Sequence, residues 1–433
     1  MRITSKSNIL FELDWLLIIL YLVLITTGWF TIYATTQTTE QVALINLTTY
    51  HGKQLVWIGL SLVIIIVVLS IDASFYERFS SVFYIFSLFL LAGLFLFGKT
   101  INGQTAWYSF GGFSLQPAEF VKATTALAVA KIMGDNLFSV KKFSDLRNVL
   151  IVLGIPFVLI LLQPDFGSAI VYFTFIFVLL REGLNIKLFA SLFAILILFI
   201  SSIKIGAFNT ILITFILLGI FYYFTFKRES MFFRKHWPFV IGSFLIVIGI
   251  VFSGNFIHNK VLKPHHQDRL ALWLRMEKDP QKIKQLKRSF GFNNDQSIKT
   301  IASGGFVGKG FLDGDRTNGK FVPEQHTDYI YSTIGEEFGF IGSTLIIVLF
   351  MLLILRILHR AEHQKSKFTR VYGYGVASIF FVHFVINIGM VLDLLPTVGI
   401  PLPFFSYGGS SLWGFTILLF IFIKLDSNKA NEL

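Results

Sequence analysis

Residues 148–181 read NVLIVLGIPFVLILLQPDFGSAIVYFTFIFVLLR. Two apolar runs, 148–163 and 167–181, meet at a turn formed by Asp165 to Gly167. An α-helix rises about 1.5 Å per residue, and a bilayer core of about 30 Å is crossed by roughly 17–25 apolar residues. Each run approaches that length, so the stretch reads as a tight hairpin of two membrane helices.

The same pattern recurs on both sides of the hairpin. It appears at 14–35, 54–71, 80–97 and 117–133, then at 187–205, 208–225, 236–256, 329–355, 372–392 and 411–425. The expected fold is an all-α polytopic membrane bundle of about twelve transmembrane helices. Composition agrees: 54% of the 433 residues are hydrophobic, and 14% are charged where soluble domains carry about 25%. Cysteine is absent, which excludes disulfides and thiolate chemistry. The net charge of +12 reads as cationic membrane loops rather than nucleic-acid binding. Met1 to Asn8 is polar, and the first apolar run is too long for a signal-peptide core, so this end is expected to be retained. A single membrane domain over 1–433 is expected.

Charge asymmetry gives the orientation. Short segments on one side carry Lys141, Lys142, Arg147, Lys227, Arg228, Arg234, Lys235, Arg356, Arg360 and Arg370, whereas those on the other carry Lys53, Lys99 and Lys204. Cationic short loops stay in the cytoplasm. Both termini are therefore expected inside and the polar stretch 257–328 outside.

Several residues do not belong in lipid without a reason. In Gln116-Pro117-Ala118-Glu119-Phe120-Val121-Lys122, the acid and the lysine lie three apart on one helical face; they read equally as a bundle-holding ion pair or a substrate-contacting pair. Asp165 either caps the next helix or serves the site. His383 and Asn387 share a face and suit helix–helix hydrogen bonding. The segment from Pro396 to Ser411 has too many prolines and glycines for a regular helix. Irregular backbone at membrane depth survives when buried in protein or lining a cavity, so it reads as re-entrant. Ser303 to Gly310 is glycine-rich but lacks nucleotide-loop spacing; close approach to a lipid phosphate, with Lys309 as counter-charge, stays open. The histidines, His265-His266 included, form no zinc motif.

Taken together, these segments resemble the SEDS family (shape, elongation, division, sporulation), the RodA/FtsW/SpoVE membrane peptidoglycan glycosyltransferases. The resemblance covers nearly the whole chain. It rests on Gln116-Pro117-Ala118-Glu119, Gln163-Pro164-Asp165-Phe166-Gly167, Ala302 to Gly310, Pro323-Glu324-Gln325-His326-Thr327-Asp328, and Gly399-Ile400-Pro401-Leu402-Pro403 to Ser410. The wording His265-His266-Gln267-Asp268-Arg269 and Pro323 to Asp328 looks more like the RodA branch, of the Bacteroidetes type, than FtsW.

The resemblance implies polymerisation of lipid II, an undecaprenyl-diphosphate-linked disaccharide-pentapeptide, at the outer face of the cytoplasmic (inner) membrane. It implies a class B penicillin-binding protein as transpeptidase partner, together with other elongation-complex membrane proteins. It places an essential acid at Asp279, in Glu277-Lys278-Asp279-Pro280, downstream of Arg269 in the loop 257–328. Matched motif positions add Arg269, Lys309, Glu119, Lys122, Asp165, Glu324, His326, Asp328 and Ser406 as substrate-binding candidates. No cofactor is specified; a divalent cation, Mg2+ or Mn2+, is compatible. Two departures stand out. The family core has ten spans, so those near 187–205 and 208–225 are additions, and Lys282 to Arg288 is inserted after the acid.

Glycosyl transfer from a diphosphate has a good leaving group; its demanding part is making a sugar hydroxyl nucleophilic. A carboxylate in reach acts as general base, cations offset charge on the leaving diphosphate, and base and leaving group take opposite faces of the ring. Asp279 among Arg269, Arg275, Lys278 and Lys309 supplies these parts, although Asp279 could simply cap a loop helix. A lipid II flippase or other transporter is the rival reading, since intramembrane Glu119 and Lys122 and broken helices suit it as well.

Overall fold

In the computed structural model, described residues are 12–36, 46–101, 103–111, 113–226, 230–261, 264–277, 279–289 and 291–428, with side chains left out at 225, 226, 230–236, 261, 264–266, 269 and 287. The helices are α1 (Trp15–Thr36), α2 (Tyr50–Ser70), α3 (Ala73–Phe97), α4 (Pro117–Gly134), α5 (Phe143–Leu161), α6 (Phe166–Ile170) and α7 (Phe175–Arg181). Then come α8 (Ile186–Ile205), α9 (Ala207–Phe226), α10 (Ser230–Phe256), α11 (Pro264–Trp273), α12 (Pro280–Ser289), α13 (Phe292–Gly304) and α14 (Asp315–Asn318). The chain closes with α15 (Ile330–Glu362), α16 (Lys367–Val391) and α17 (Gly409–Ser427).

Among the described residues, ten helices are long and apolar enough to cross a membrane. The protein is therefore a multi-pass membrane protein. Two further expected spans are also helical. One is α4, whose Glu119, Lys122 and Lys131 make it more polar than an ordinary span. The other is α6 and α7, joined through a 3-10 turn at Val171–Thr174.

The chain falls into two compact units, residues 1–184 with 293–433, and residues 185–292. The first is built around α4, which packs on α3, α16 and α17. Helices α4, α16 and α17 are buried almost all round, as expected of central helices with no wet face. Gly414 lets α17 close on α4: a Cβ there would lie 2.8 Å from the Glu119 carbonyl oxygen. One end of this unit is tied by ion pairs. Asp14 takes Arg356 at 2.9 Å and Arg360 at 3.1 Å, Arg360 reaches Asp426, and Arg370 pairs with Glu182 at 3.1 Å. The other end carries a small antiparallel sheet, β1 (Lys99–Ile101), β2 (Gln104–Phe110) and β3 (Phe113–Leu115). Its register pairs Lys99 with Trp107 and Tyr108 with Leu115. Pro117 then starts α4, where its missing N–H costs nothing.

The second unit holds α8, α9 and α10, with α10 packed on both of the others. Tyr222 donates to Ser243 at 3.1 Å across the α9–α10 contact, and Asn185 caps α8 through Lys187 N at 2.9 Å. The helices expected as additions, α8 and α9, both belong here, as do α11 and α12. The polar stretch 257–328 is thus divided between the units, with 257–292 in one and 293–328 in the other.

Candidate active site

At the sheet end of the first unit, a cavity of about 340 Å³ is lined by Glu119, Asp165, Glu324 and Asp328, with Gln116 and His383. Its walls come from the start of α4, the Gln163 to Gly167 turn, the Pro323 to Asp328 loop and the irregular segment before α17.

Beneath it runs a buried polar relay. Lys122 donates to Glu119 at 2.9 Å and approaches His383 Nε2 at 3.0 Å. His383 Nδ1 faces the Pro401 carbonyl at 3.2 Å. An ammonium can only donate, so Nε2 accepts and Nδ1 carries the proton toward Pro401. Phe415 lies 4.8 Å from the Lys122 ammonium and adds a ring face to its shell. Glu119 and Lys122 therefore form the ion pair, and Glu119 also faces the cavity.

Asp165 is both cap and wall. Its Oδ1 accepts from Ser168 N at 3.0 Å, while Oδ2 accepts from Ser168 Oγ at 2.8 Å and from Gln116 Nε2 at 2.9 Å. Asp328 is half-buried, and its carboxyl is pushed up to about 7, chiefly by loss of solvent and then by the charges of Glu324 and Asp165. His326 stacks on Tyr50 with centroids 4.0 Å apart. Burial lowers its pKa, an effect that Glu324 opposes.

The irregular segment before α17 is stitched to the loop by hydrogen bonds to main chain. Asn387 donates to the carbonyls of Asp328 at 2.9 Å and Ile400 at 2.7 Å. Ser406 donates to the Thr327 carbonyl at 2.8 Å and accepts from Leu402 N at 2.8 Å. Its hydroxyl thus holds the wall together.

The glycine-rich stretch has a definite partner. Helix α15 breaks at Gly339, with φ 62° and ψ −157°, a conformation that favours glycine. The break frees main-chain groups, and 305–310 satisfies them. Lys309 N and Gly310 N donate to the Glu336 and Glu337 carbonyls, each at 3.0 Å, while Phe340 N donates to Gly305 O at 3.0 Å. The Lys309 ammonium binds Glu336 at 2.8 Å and Asp315 at 3.0 Å. These bonds raise its pKa, that to Glu336 most.

In the second unit Asp279 is exposed at the head of α12. Its Oδ1 accepts from Gln281 N at 2.9 Å, and its carbonyl accepts from Ile283 N at 2.9 Å. Lys282 is held by Glu277 at 2.6 Å, which raises its pKa. Arg269 lies on α11, but its side chain, like Lys278, is outside the described residues.

Glu119, Lys122, Asp165, Glu324, His326 and Asp328 thus converge in one unit, with Ser406 and Lys309 bracing it. Sequence reasoning missed Gln104 and Trp107, which line the cavity from β2, and Tyr50. The strand Gln104–Phe110 shows no clean alternation, with Ala106, Trp107 and Tyr108 consecutive, so its sequence carried no strand signal. Among the described residues, no group of His, Asp and Glu is arranged to hold a metal ion.

Fold and site define a polytopic membrane protein with an acid-lined cavity at one end of its bundle. The chain belongs to the FtsW/RodA/SpoVE family of cell cycle proteins, whose model matches residues 14–215 and 207–431. It is similar to the peptidoglycan glycosyltransferase RodA of Treponema pallidum, 28% identical, with 99% of this chain and all of that protein covered. It is 30% identical to the peptidoglycan glycosyltransferase MrdB of Escherichia coli K12, with 82% of this chain and 80% of that protein covered. Its fold resembles that of a chain from a structure described as a peptidoglycan synthase complex coordinating polymerization and crosslinking, with TM-score 0.67, 23% identity and 97% of this chain and 99% of that one covered. The crystal structure of Thermus thermophilus RodA gives TM-score 0.60 at 20% identity, covering 96% of this chain and 97% of that one.

Proposed function

We propose that this protein is a peptidoglycan glycosyltransferase that polymerises lipid II into glycan strands for cell elongation and rod shape. The observation that carries the reading is the acid-lined cavity over the Glu119–Lys122–His383 relay, in a chain whose relatives bear that activity in their names. The protein lies in the cytoplasmic membrane with both termini inside and 257–328 outside, and it acts beside a class B penicillin-binding protein.

Asp279 is the general base. It is exposed and not engaged in an ion pair among the described residues, so it can meet an incoming substrate. The acceptor hydroxyl gives its proton to Asp279 as its oxygen bonds the anomeric carbon. The bond from that carbon to the diphosphate oxygen breaks, and the polyprenyl diphosphate leaves with the electron pair.

Asp328 favours a second reading, because an acid held near neutrality by its cavity is matched to proton transfer. One assay separates the two: purified protein, its partner with the transpeptidase blocked, and lipid II in detergent. Asp279→Asn should lower polymerisation by about 10²- to 10⁴-fold, with Asp268→Asn and Asp295→Asn near wild type. An active Asp279→Asn beside a dead Asp328→Asn would transfer the role to Asp328.

A further inference from the structure

Beside the acid-lined cavity lies a second, of about 560 Å³. Thr36 at the end of α1 and Thr48, Thr49 and Lys53 around the start of α2 form one wall, and Lys320 stands on another. Glu324 lines both cavities. Three rings mark the partition. Tyr50 and His326, which line the second cavity, stack on each other, and Tyr407, which lines the first, meets Tyr50 edge-on at 5.0 Å.

The two cavities differ in charge. The first is lined by Glu119, Asp165, Glu324 and Asp328, and Lys122 below it is already engaged. The second is lined by Lys53 and Lys320, neither in an ion pair among the described residues, against the single carboxylate of Glu324 on the shared wall. Carboxylates at close range repel a phosphate, whereas sugar hydroxyls hydrogen-bond to them. Free lysines bind phosphates as point charges, with threonine hydroxyls as neutral partners. A ligand with a sugar joined directly to a diphosphate has one end for each cavity.

We propose that the cavity of Lys53 and Lys320 is an oxyanion subsite that holds the diphosphate of a lipid-linked saccharide while its sugar passes the Tyr50–His326–Tyr407 partition into the acid-lined cavity. The inference deepens the transferase reading and rests on it. The stem-peptide carboxylates of the same class of substrate are the other source of oxyanions, and the test distinguishes them.

The full chain in a neutral detergent is titrated with geranylgeranyl diphosphate and, separately, with a muramoyl pentapeptide that carries no phosphate. Wild type should bind the diphosphate, more weakly as salt rises. Lys53→Gln/Lys320→Gln should weaken that binding by at least about tenfold, the expected loss for two direct phosphate contacts. Lys53→Arg/Lys320→Arg should retain most of it. Lys299→Gln, outside both cavities, should bind as wild type, and thermal melts establish that each variant is folded. Wild-type diphosphate affinity in the double Gln variant, or no diphosphate binding by the parent, overturns the proposal. So does loss of pentapeptide binding alone, which would make the subsite a carboxylate reader. Failure of the transferase reading looks different: wild type would bind the diphosphate and still make no glycan.

Discussion

Lys122 is buried, with Glu119, His383 and the Phe415 face packed around it. Removing one partner of a buried ion pair typically costs about 3–5 kcal/mol, because the other charge is left alone. Lys122→Met should therefore lower the melting temperature sharply in detergent, and Glu119→Gln/Lys122→Met should recover most of the loss. Equal loss in the single and double variants would mean that the pair is not what holds these helices. Asp328 gives a pH signature. Its folded value near 7 exceeds the unfolded value of about 3.9, so the folded protein keeps a proton that the unfolded chain releases. The stability that this neutral form allows is complete below the unfolded value and declines as pH rises toward 7. The stability of Asp328→Asn relative to its parent should accordingly grow between pH 5 and pH 8; a flat difference in melts would show the carboxyl ionised throughout. The Glu119–Lys122 pair was legible in sequence because its partners sit three apart on one helix. The contact with His383 was not, since 261 residues separate it from Lys122 and only packing brings them together.

Helix α15 shows what an element can hide. Hydropathy reads its apolar stretch as one span, yet it breaks at Gly339 and is mended by residues 305–310. A Cβ on Gly339 would come 2.4 Å from Gly308 N, and the backbone there disfavours any side chain. Strain of this kind costs of order 1–3 kcal/mol before the clash is counted. Gly339→Ala should lower stability by more than that, whereas Gly219→Ala, with open space around its Cβ, should be neutral or better; thermal melts of the pair decide it. The glycines of Ser303 to Gly310 stand out in sequence, but their partner does not. Long helices announce themselves by composition, whereas the β-sheet at Lys99–Leu115 is too short to do so, and with it Gln104 and Trp107 stayed out of sight.

At the scale of the molecule, hydropathy records which segments are apolar but not which ones pack together. The division at Leu184 and Asn293 was therefore invisible, although α8 and α9 stood out as additions to the family core. Orientation is open to a direct check on a chain without cysteine. Asp313→Cys and Lys365→Cys both replace exposed side chains. In intact spheroplasts, the first should react with an impermeant thiol reagent and the second should not; the opposite pattern would turn the cavity toward the cytoplasm. The seam made by Asn387 and Ser406 has a consequence for how such sequences diverge. Both side chains grip carbonyl oxygens, which every residue at 327, 328 and 400 would supply. Descendants of this chain can change letters on the gripped side while the wall keeps its shape, so selection should fall on the gripping side. Saturation mutagenesis scored by rod shape should find positions 387 and 406 intolerant and position 327 permissive.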